Sequence, residues 1–334
     1  MQGLPRRYWI LCIGVFFVGL GLRLVTDELD GLGDDPGGLD EAAAALRLLE
    51  ADQPRDRTIV SYEGLGVWID AFDFEPNYQG DASSPPPLTP AVIDEFADLG
   101  VRTIYLQAAR LDDRAPGVLL DEGLLADFLV RAHARDIDVV GWYLPLFDDV
   151  DADLERLLAI ADFRVKGHEF DGIGVDIEYI EAVPDPQERS TRLVTLSQEL
   201  DRALPDDVLS AIVPPPVQLE VINPTYWPRF PWRDLDRYYD VWMPMAYWTV
   251  RTEASGYRDA YRYSEESTRR LRANVGRDDA LVHIIGGIGD ATTSEDLAGL
   301  RRALEDTNSI GGSIYDWQSL PPERRTELPS SVPG

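Results

Sequence analysis

The sequence predicts an α/β protein whose body is a single (β/α)8 barrel of the TIM-barrel type, and three observations predict this fold class. From Gly66 onward, eight short runs of β-branched and aromatic residues alternate with amphipathic stretches, as in parallel strands joined by crossover helices. No glycine-rich phosphate loop follows the first run, and the first crossover is rich in proline, which disfavours an open doubly wound sheet. The 334 residues suffice for one barrel of about 250 residues and an N-terminal extension.

The strands are expected where short apolar runs lie between turn-forming residues. These runs are Val67–Asp70, Thr103–Gln107, Val139–Leu144, Gly172–Glu178, Leu209–Pro214, Val241–Tyr247, Leu281–Ile288 and Gly312–Trp317. Thr89 and Pro90 supply an N-cap and a first-turn proline to the first crossover helix, and Gly100 ends it. Further helices are expected at Gly123–Ala134, Asp151–Arg164, Pro186–Leu204 and Thr293–Thr307, whereas the fifth crossover is irregular and aromatic.

Residues 1–25 predict a signal peptide or membrane anchor. Arg6 and Arg7 precede the apolar run from Tyr8 to Leu22, and the absence of a clear cleavage site favours an uncleaved anchor over a cleaved signal; a buried helix is the alternative. With its basic end in the cytoplasm, the segment would hold the rest of the chain outside, either membrane-anchored or secreted. We interpret residues 26–57 as an acidic linker and residues 58–334 as the barrel domain.

Composition excludes several classes of function. A net charge of −29, with Lys166 as the single lysine, disfavours nucleic acid as a partner, because a nucleic-acid-binding surface must be cationic. Cys12 is the only cysteine, so the chain cannot form an internal disulfide. The three histidines, His133, His168 and His283, lie on separate predicted elements, and we therefore predict neither a metal site nor a cofactor. The oligomeric state is left open.

The fourth predicted strand carries the main candidates for chemistry. Because side chains alternate along a strand, Gly174, Asp176 and Glu178 point to one face while Ile173 and its aliphatic neighbours point to the other. This arrangement predicts two carboxylates about 7 Å apart inside the barrel mouth, where the catalytic groups of such barrels lie. Each acid raises the pKa of the other, so one can hold a proton near neutral pH; loop capping or an arginine partner is the purely structural alternative.

The run Asp171-Gly-Ile-Gly-Val-Asp-Ile-Glu-Tyr179 resembles the fourth-strand signature of family 18 glycoside hydrolases, the chitinases and endo-N-acetylglucosaminidases. The resemblance implies that Glu178 is the general acid that protonates the glycosidic oxygen. It also implies that Asp176 orients the 2-acetamido group of the substrate as this group attacks the anomeric carbon. Such substrate-assisted chemistry removes the need for a second, opposed carboxylate.

Two further strands resemble the same family. The sixth ends in Met-Ala-Tyr247-Trp248, which implies that Tyr247 hydrogen-bonds the acetamido oxygen. The eighth contains Gly311-Gly-Ser-Ile-Tyr-Asp-Trp317, which implies that Trp317 forms the floor under the reacting sugar. Other aromatic residues that could stack on sugar rings, with core packing as the alternative, are Trp142, Tyr143, Trp227, Trp232 and Trp248.

The sequence also departs from the family pattern. Gly174 occupies the position of the family's middle acid, and Trp248 replaces the acid that follows the sixth-strand tyrosine. Other acids at strand ends could then supply a nucleophile or base, and these are Asp70, Asp73, Asp290 and Asp316. Asp70 and Asp316 rank first because each lies at the end of a predicted strand, and Gln107 is expected to hydrogen-bond a sugar hydroxyl.

These observations lead to three hypotheses. The first is an exported glycoside hydrolase that cleaves O-glycosidic bonds of an envelope or extracellular polysaccharide, with Glu178 as the acid. The second is a non-catalytic barrel that binds glycans or scaffolds an assembly at the cell envelope. The third is a hydrolase of another glycan class that combines Glu178 with an aspartate from across the barrel.

Overall fold

The computed structural model describes residues 57–79 and 85–333, so the predicted anchor and all of the predicted linker except Arg57 lie outside the described residues. Eight parallel strands close into a barrel in which each strand pairs with the next one along the chain and β8 pairs with β1. The strands are β1 Gly64–Ile69, β2 Thr103–Gln107, β3 Asp138–Tyr143, β4 Gly172–Asp176, β5 Leu209–Val213, β6 Val241–Pro244, β7 Leu281–Ile288 and β8 Gly311–Tyr315. The predicted (β/α)8 barrel is therefore confirmed.

Helices surround the barrel and carry their own start signals. They are α1 Ala71–Phe74, α2 Ile93–Asp98, α3 Glu122–His133, α4 Val150–Asp162, α5 Pro186–Ala203, α6 Trp232–Leu235, α7 Ala260–Val275, α8 Ser294–Thr307 and α9 Pro322–Arg325. The side chains of Asp121, Asp149, Asp185 and Asp259 each accept a backbone N–H in the first turn of α3, α4, α5 and α7. Thr89, the predicted N-cap, makes no such hydrogen bond, because a 3-10 turn, Pro90–Val92, precedes α2.

The helix α7 in the sixth crossover was not among the predicted helices. Its buried face is formed largely by small and hydroxyl-bearing residues, namely Ala260, Tyr263, Ser264, Ser267, Thr268, Leu271 and Val275. Because serine and threonine count as polar residues, the hydrophobic pattern of the sequence does not show the helical period of this face. None of the helices in residues 57–79 and 85–333 is both long and apolar enough to cross a membrane.

Aromatic side chains fill the interior of the barrel. Trp68 of β1 stacks on Tyr105 of β2 with ring centroids 4.5 Å apart, and Trp142 of β3 meets Trp68 edge-on at 5.8 Å. The alternate residues of the same strands are aliphatic and pack outward against the helices. The barrel therefore has a packed interior that opens toward solvent only where the inward-pointing side chains become polar, at the strand ends.

Tyr62 closes the N-terminal end of the barrel. It is fully buried in the 3-10 turn Ile59–Tyr62, and its hydroxyl accepts the backbone N–H of Ile173 at 3.1 Å. His283 of β7 donates from Nδ1 to the carbonyl of Tyr62 at 2.8 Å and accepts at Nε2 from Ser313 at 3.0 Å. Burial lowers the pKa of His283 to about 4, so the ring is neutral near pH 7, as this pattern of one donor and one acceptor requires.

Arg57 fixes the chain to the same end of the barrel. Its guanidinium donates to the carbonyls of Phe170 and Ala161 at 2.9 and 2.6 Å and lies 2.9 Å from the carboxylate of Asp207. These contacts join the segment before β1 to the last turn of α4 and to the loops that precede β4 and β5. The segment that leads into β1 is therefore held by several polar contacts, and two of them are hydrogen bonds to backbone carbonyls.

Two of the histidines that were expected to be scattered are in contact. The Nδ1 atoms of His133 and His168 lie 2.8 Å apart, and Nε2 of His133 lies 2.8 Å from Asp171. Asp171 also accepts the backbone N–H of Val139 at 2.8 Å. Asp171 immediately precedes β4, so this group lies at the end of the barrel opposite to the catalytic end of such folds and holds α3 against β3 and β4.

Candidate active site

Asp176 and Glu178 form an acid pair where β4 ends. Asp176 is the last residue of the strand and only 7% exposed, and within the described residues its Oδ1 atom has no hydrogen-bond partner. Glu178 lies two residues further on and is partly exposed. A buried carboxylate oxygen without a donor is costly as an anion, which favours either a proton on the pair or a donor brought by a ligand.

The environment of this acid pair favours protonation. Burial raises the pKa of Glu178. Burial, together with the negative charge of Glu178, raises the pKa of Asp176 well above its ordinary value. Because two close, buried carboxylates cannot both ionise readily, the pair retains at least one proton at a pH where exposed carboxyl groups are fully ionised. This behaviour was predicted from their spacing on the fourth predicted strand, which the structure ends two residues earlier at Asp176, and a group that holds a proton in this way can act as a general acid.

Tyrosine side chains line the site beside the acid pair. The ring of Tyr247, which follows β6, lies 5.7 Å from that of Tyr315 at the end of β8. Burial raises the pKa of Tyr247, and the charges of Glu178 and Asp176 raise it further, as do Asp316 and Asp70. Its hydroxyl is therefore protonated near pH 7 and available as a donor between two groups of carboxylates.

Tyr226 supports the backbone of the acid pair, although sequence reasoning did not identify it. Its hydroxyl donates to the backbone carbonyl of Glu178 at 2.7 Å. Burial raises the pKa of Tyr226 to about 12, and the charges of Glu178 and Asp176 add to this effect. The aromatic character of the fifth crossover was the only signal in the sequence, and it drew attention to the neighbouring Trp227 instead.

A second acidic group, which we name the acidic trio, consists of Asp70, Asp73 and Asp316. One carboxylate oxygen from each lies within 4.8 Å of the others, and within the described residues this is the one cluster with the spacing of metal ligands. Asp70 accepts the hydroxyl of Tyr315 at 2.7 Å and the backbone N–H of Phe72 at 2.8 Å. Asp70 and Asp316, which were singled out because each lies at the end of a predicted strand, are thus close together, and Tyr315 links them to the acid pair through Tyr247.

Asp73 is the member of the acidic trio that holds a proton. Burial raises its pKa from 3.8 to about 8, and the charges of Asp70 and Asp316 contribute to the shift. A carboxyl with a raised pKa binds more protons in the folded than in the unfolded protein, so its contribution to stability is lost as the pH rises from about 4 toward 8.

We therefore expect Asp73→Asn to raise the melting temperature near pH 8 and to change it little near pH 4. The amide oxygen of asparagine can still accept the backbone N–H of Asp70, which Asp73 binds at 3.1 Å, while its NH2 group removes the charge repulsion. Thermal unfolding across this pH range measures the effect, with Asp127→Asn on the exposed face of α3 as a matched control. A melting-temperature difference that is constant across the range would contradict the assignment.

Several predicted substrate contacts are wrong because the side chains lie in the core. Trp317 is 1% exposed and packs edge-on against Phe96 of α2 at 4.8 Å; β8 ends at Tyr315, so the alternation that would aim Trp317 inward does not reach it. Trp248 is fully buried against β7, where Gly286 and Gly287 leave room for its ring. The other aromatic candidates Trp142, Tyr143, Trp227 and Trp232 are buried as well.

Gln107 does not lie free to bind a sugar. Its side chain is 1% exposed, and its carbonyl oxygen accepts the backbone N–H of Ala71 at 2.9 Å. This hydrogen bond fixes the start of α1 and thereby the position of Asp70. Asp290, the remaining acid considered at a strand end, is exposed in the 3-10 turn after β7.

Gly174 leaves no cavity where the family pattern has an acid. A Cβ atom placed on it would lie 3.0 Å from Cδ1 of Ile212 and 3.1 Å from Cβ of Trp142. Apolar groups of β5 and β3 therefore fill this position. As a consequence, Asp176 has Glu178, two residues beyond the end of β4, as its neighbouring acid and lacks the inner partner of the family pattern.

Comparison with solved structures finds the same barrel fold in proteins that include family 18 chitinases. A family 18 chitinase from Cycas revoluta in complex with allosamidin is 14% identical with a TM-score of 0.54, covering 80% of this chain and 98% of that one. The spore cortex-lytic enzyme SleL from Bacillus megaterium is 8% identical with a TM-score of 0.53, covering 84% of this chain and 75% of that one. Neither a family model nor a curated protein matches the sequence. The likeness confirms the fold that the fourth-strand resemblance implied.

Proposed function

We propose that this protein is an exported glycoside hydrolase that cleaves O-glycosidic bonds of an envelope or extracellular polysaccharide, with Glu178 as the general acid. The observation that carries the proposal is the acid pair of buried Asp176 and partly exposed Glu178 at the C-terminal end of β4, which is the catalytic end of this fold. Export rests on the predicted N-terminal anchor alone.

The geometry suits proton donation to a leaving group. The acid pair holds a proton because burial raises the pKa of both groups, and Glu178 gives this proton to the glycosidic oxygen as the bond to the anomeric carbon breaks. On an N-acetylated sugar, the acetamido oxygen attacks that carbon while Asp176 accepts the amide N–H and Tyr247 donates to the acetamido oxygen. Water then opens the cyclic intermediate, with Glu178 as the base that recovers the proton.

A two-carboxylate route is also available on this scaffold. In the closed ring β8 lies four strands from β4, so Asp316 and the adjoining Asp70 face the acid pair from across the mouth. Either could serve as a nucleophile or activate water opposite Glu178. The two routes differ in the substrates they require, since only the first one needs a 2-acetamido group.

Structures similar to this one support an oligosaccharide as the substrate. YKL-39 and a family 18 chitinase from Cycas revoluta were crystallised with chitooligosaccharides. The filled position at Gly174 instead favours a second candidate, a barrel that binds glycans without cleaving them, because Asp176 lacks the inner acid of the family pattern. The two candidates share a binding site and differ only in turnover.

The test combines binding and hydrolysis on the full-length protein. Paired glycans with and without 2-acetamido groups are incubated with it, and new reducing ends are measured alongside binding by calorimetry. We expect reducing ends from at least one glycan, and cleavage restricted to acetylated members would favour the substrate-assisted route. Binding without any new reducing ends would favour the non-catalytic barrel.

A further inference from the structure

A cluster of arginine and aromatic side chains lies on the rim of the barrel mouth, next to the acidic trio. We name it the arginine rim, and it consists of Phe72, Tyr78, Arg110, Arg114 and Asp112. Phe72 belongs to α1, and Arg110 follows β2 by three residues. The cluster is therefore built from the loops after two adjacent strands at the end of the barrel that carries the acid pair.

Two guanidinium groups converge on one pair of rings. The Cζ atoms of Arg110 and Arg114 lie 5.1 and 5.5 Å from the ring centroid of Phe72 and 5.2 and 4.3 Å from that of Tyr78. The rings themselves meet edge-on at 5.5 Å. A cation that lies above the face of an aromatic ring is attracted to it, so these contacts hold both arginines in fixed positions.

One carboxylate compensates for the two arginines. Oδ2 of Asp112 accepts from Arg110 at 3.2 Å and from Arg114 at 3.1 Å, while its Oδ1 accepts the hydroxyl of Tyr78 at 2.8 Å. Burial opposes ionisation of Asp112, but the hydrogen bonds from Arg114 and Tyr78 outweigh it and keep its pKa below the ordinary value. The rim thus sets two arginines against one ion-paired carboxylate on a protein of net charge −29.

The arginine rim is also exposed enough to meet a ligand. Phe72 is 45% exposed although it is a large apolar side chain, and the side chain of Arg114 is 48% exposed. Within the described residues, the guanidinium groups have no acidic partner other than Asp112. The exposed ring of Phe72 can pack against the apolar face of a sugar, and the guanidinium groups beside it can bind a carboxylate on that sugar through two parallel N–H donors.

The rim is continuous with the acid pair. The positive charge of Arg110 acts on the carboxyl of Asp70, which accepts the hydroxyl of Tyr315, whose ring lies 5.7 Å from Tyr247. One electrostatic interaction and two side-chain contacts therefore relate the rim to Tyr247, whose pKa the charge of Glu178 raises. A polymer bound at the acid pair that extends toward β1 and β2 would place a neighbouring sugar on the rim.

We propose that the arginine rim is a specificity subsite that binds a carboxylate-bearing sugar unit of the substrate. Arg110 and Arg114 bind the carboxylate, and Phe72 contacts the face of the sugar ring. This inference rests on the proposed function, since it takes the ligand to be a glycan, and it narrows the substrate to an acidic polysaccharide.

The test measures binding on the full chain carrying Glu178→Gln, so that turnover does not intervene. The probes are a tetrasaccharide of alternating N-acetylglucosamine and glucuronate and the same compound with its carboxyl groups reduced to alcohols. We expect the carboxylated form to bind about tenfold more tightly, and Arg114→Gln to remove about that factor from it alone. Phe72→Ala is expected to weaken binding of both probes.

Arg302→Gln is the matched control, because Arg302 also lies over a tyrosine ring, that of Tyr261, at 3.8 Å, but on the outer helix α8. It should leave the affinity for both probes unchanged. Equal affinity for the two probes, or binding of neither, overturns the inference. It is also overturned if Arg114→Gln lowers the affinity for both probes equally, because Arg114 would then have a structural role. Absence of hydrolysis on any glycan would overturn the proposed function while leaving a measured preference for the carboxylated probe intact.

Discussion

Replacing Glu178 with glutamine is expected to lower kcat by about a hundredfold to ten-thousandfold on any glycan that the protein cleaves. Glutamine keeps the size of the side chain but has no proton to give to the glycosidic oxygen, so KM should change little. The loss should fall on the chemical step, because the leaving group departs as an alkoxide when no acid is present. Hydrolysis assays on purified protein at saturating glycan measure this effect directly.

The control for this prediction is Glu181→Gln. Glu181 is an exposed acid in the same loop, so the substitution removes the same charge three residues away without touching the buried pair. Its kcat should stay within about twofold of wild type. A Glu178→Gln variant that retains full hydrolysis would refute the assignment of this residue as the acid.

The raised pKa values also predict the direction of the pH dependence. Burial raises the pKa of Glu178, and burial with the charge of Glu178 raises that of Asp176, so the pair keeps its proton to a higher pH than ordinary carboxyl groups do. Activity should be lost on the alkaline side, when the pair releases this proton. The rate profile reports the pair as a unit, since the two acids titrate together.

Replacing Gly311 with alanine is expected to destabilise the barrel by about 3 to 5 kcal/mol, the largest effect on stability that we foresee. A Cβ atom at this position would lie 2.4 Å from Nδ1 of His283, 2.6 Å from the carbonyl oxygen of Tyr62 and 2.8 Å from that of Gly64. Two of these atoms are backbone, so relief requires β1 and β8 to separate or the Tyr62 turn to move. Either movement breaks the hydrogen bond between His283 and Tyr62.

Thermal unfolding followed by circular dichroism tests this prediction, with an expected fall in melting temperature of about 10 °C or more. Gly117→Ala provides the control, because the nearest atom to its Cβ would be 3.7 Å away in an exposed loop. Similar melting temperatures for the two variants would show that β1 and β8 can accommodate a Cβ atom at Gly311 despite the short distances.

The fold could be predicted from the sequence because each strand is a short run of mostly apolar residues. Parallel strands covered by helices are buried on both faces, and they therefore need such runs. Thr103–Gln107 and Leu281–Ile288 were predicted with the bounds that the structure has. The helix α7 was missed for the opposite reason. Its buried face relies on residues such as Ser264, Ser267 and Thr268, whose burial depends on close packing rather than on hydrophobicity.

The positions of the candidate site residues could be predicted only as far as the strands extend. Alternation along β4 placed Asp176 correctly, and the first residue after β1, Asp70, also lies at the mouth. The same rule failed for Trp317, because β8 ends at Tyr315 and the chain beyond it no longer alternates. Tyr226 could not be found at all, since its role depends on a contact between loops 48 residues apart in the chain.

The closed end of the barrel also determines how far the chain can be shortened. A chain that began at Gly64 would keep all eight strands, yet it would expose the base of the barrel interior to water and remove the Tyr62 carbonyl that lies 2.8 Å from Nδ1 of His283. A chain that began at Arg57 would keep both the Tyr62 turn and the ion pair to Asp207. In energetic terms Arg57 therefore belongs to the barrel domain, seven residues before its first strand.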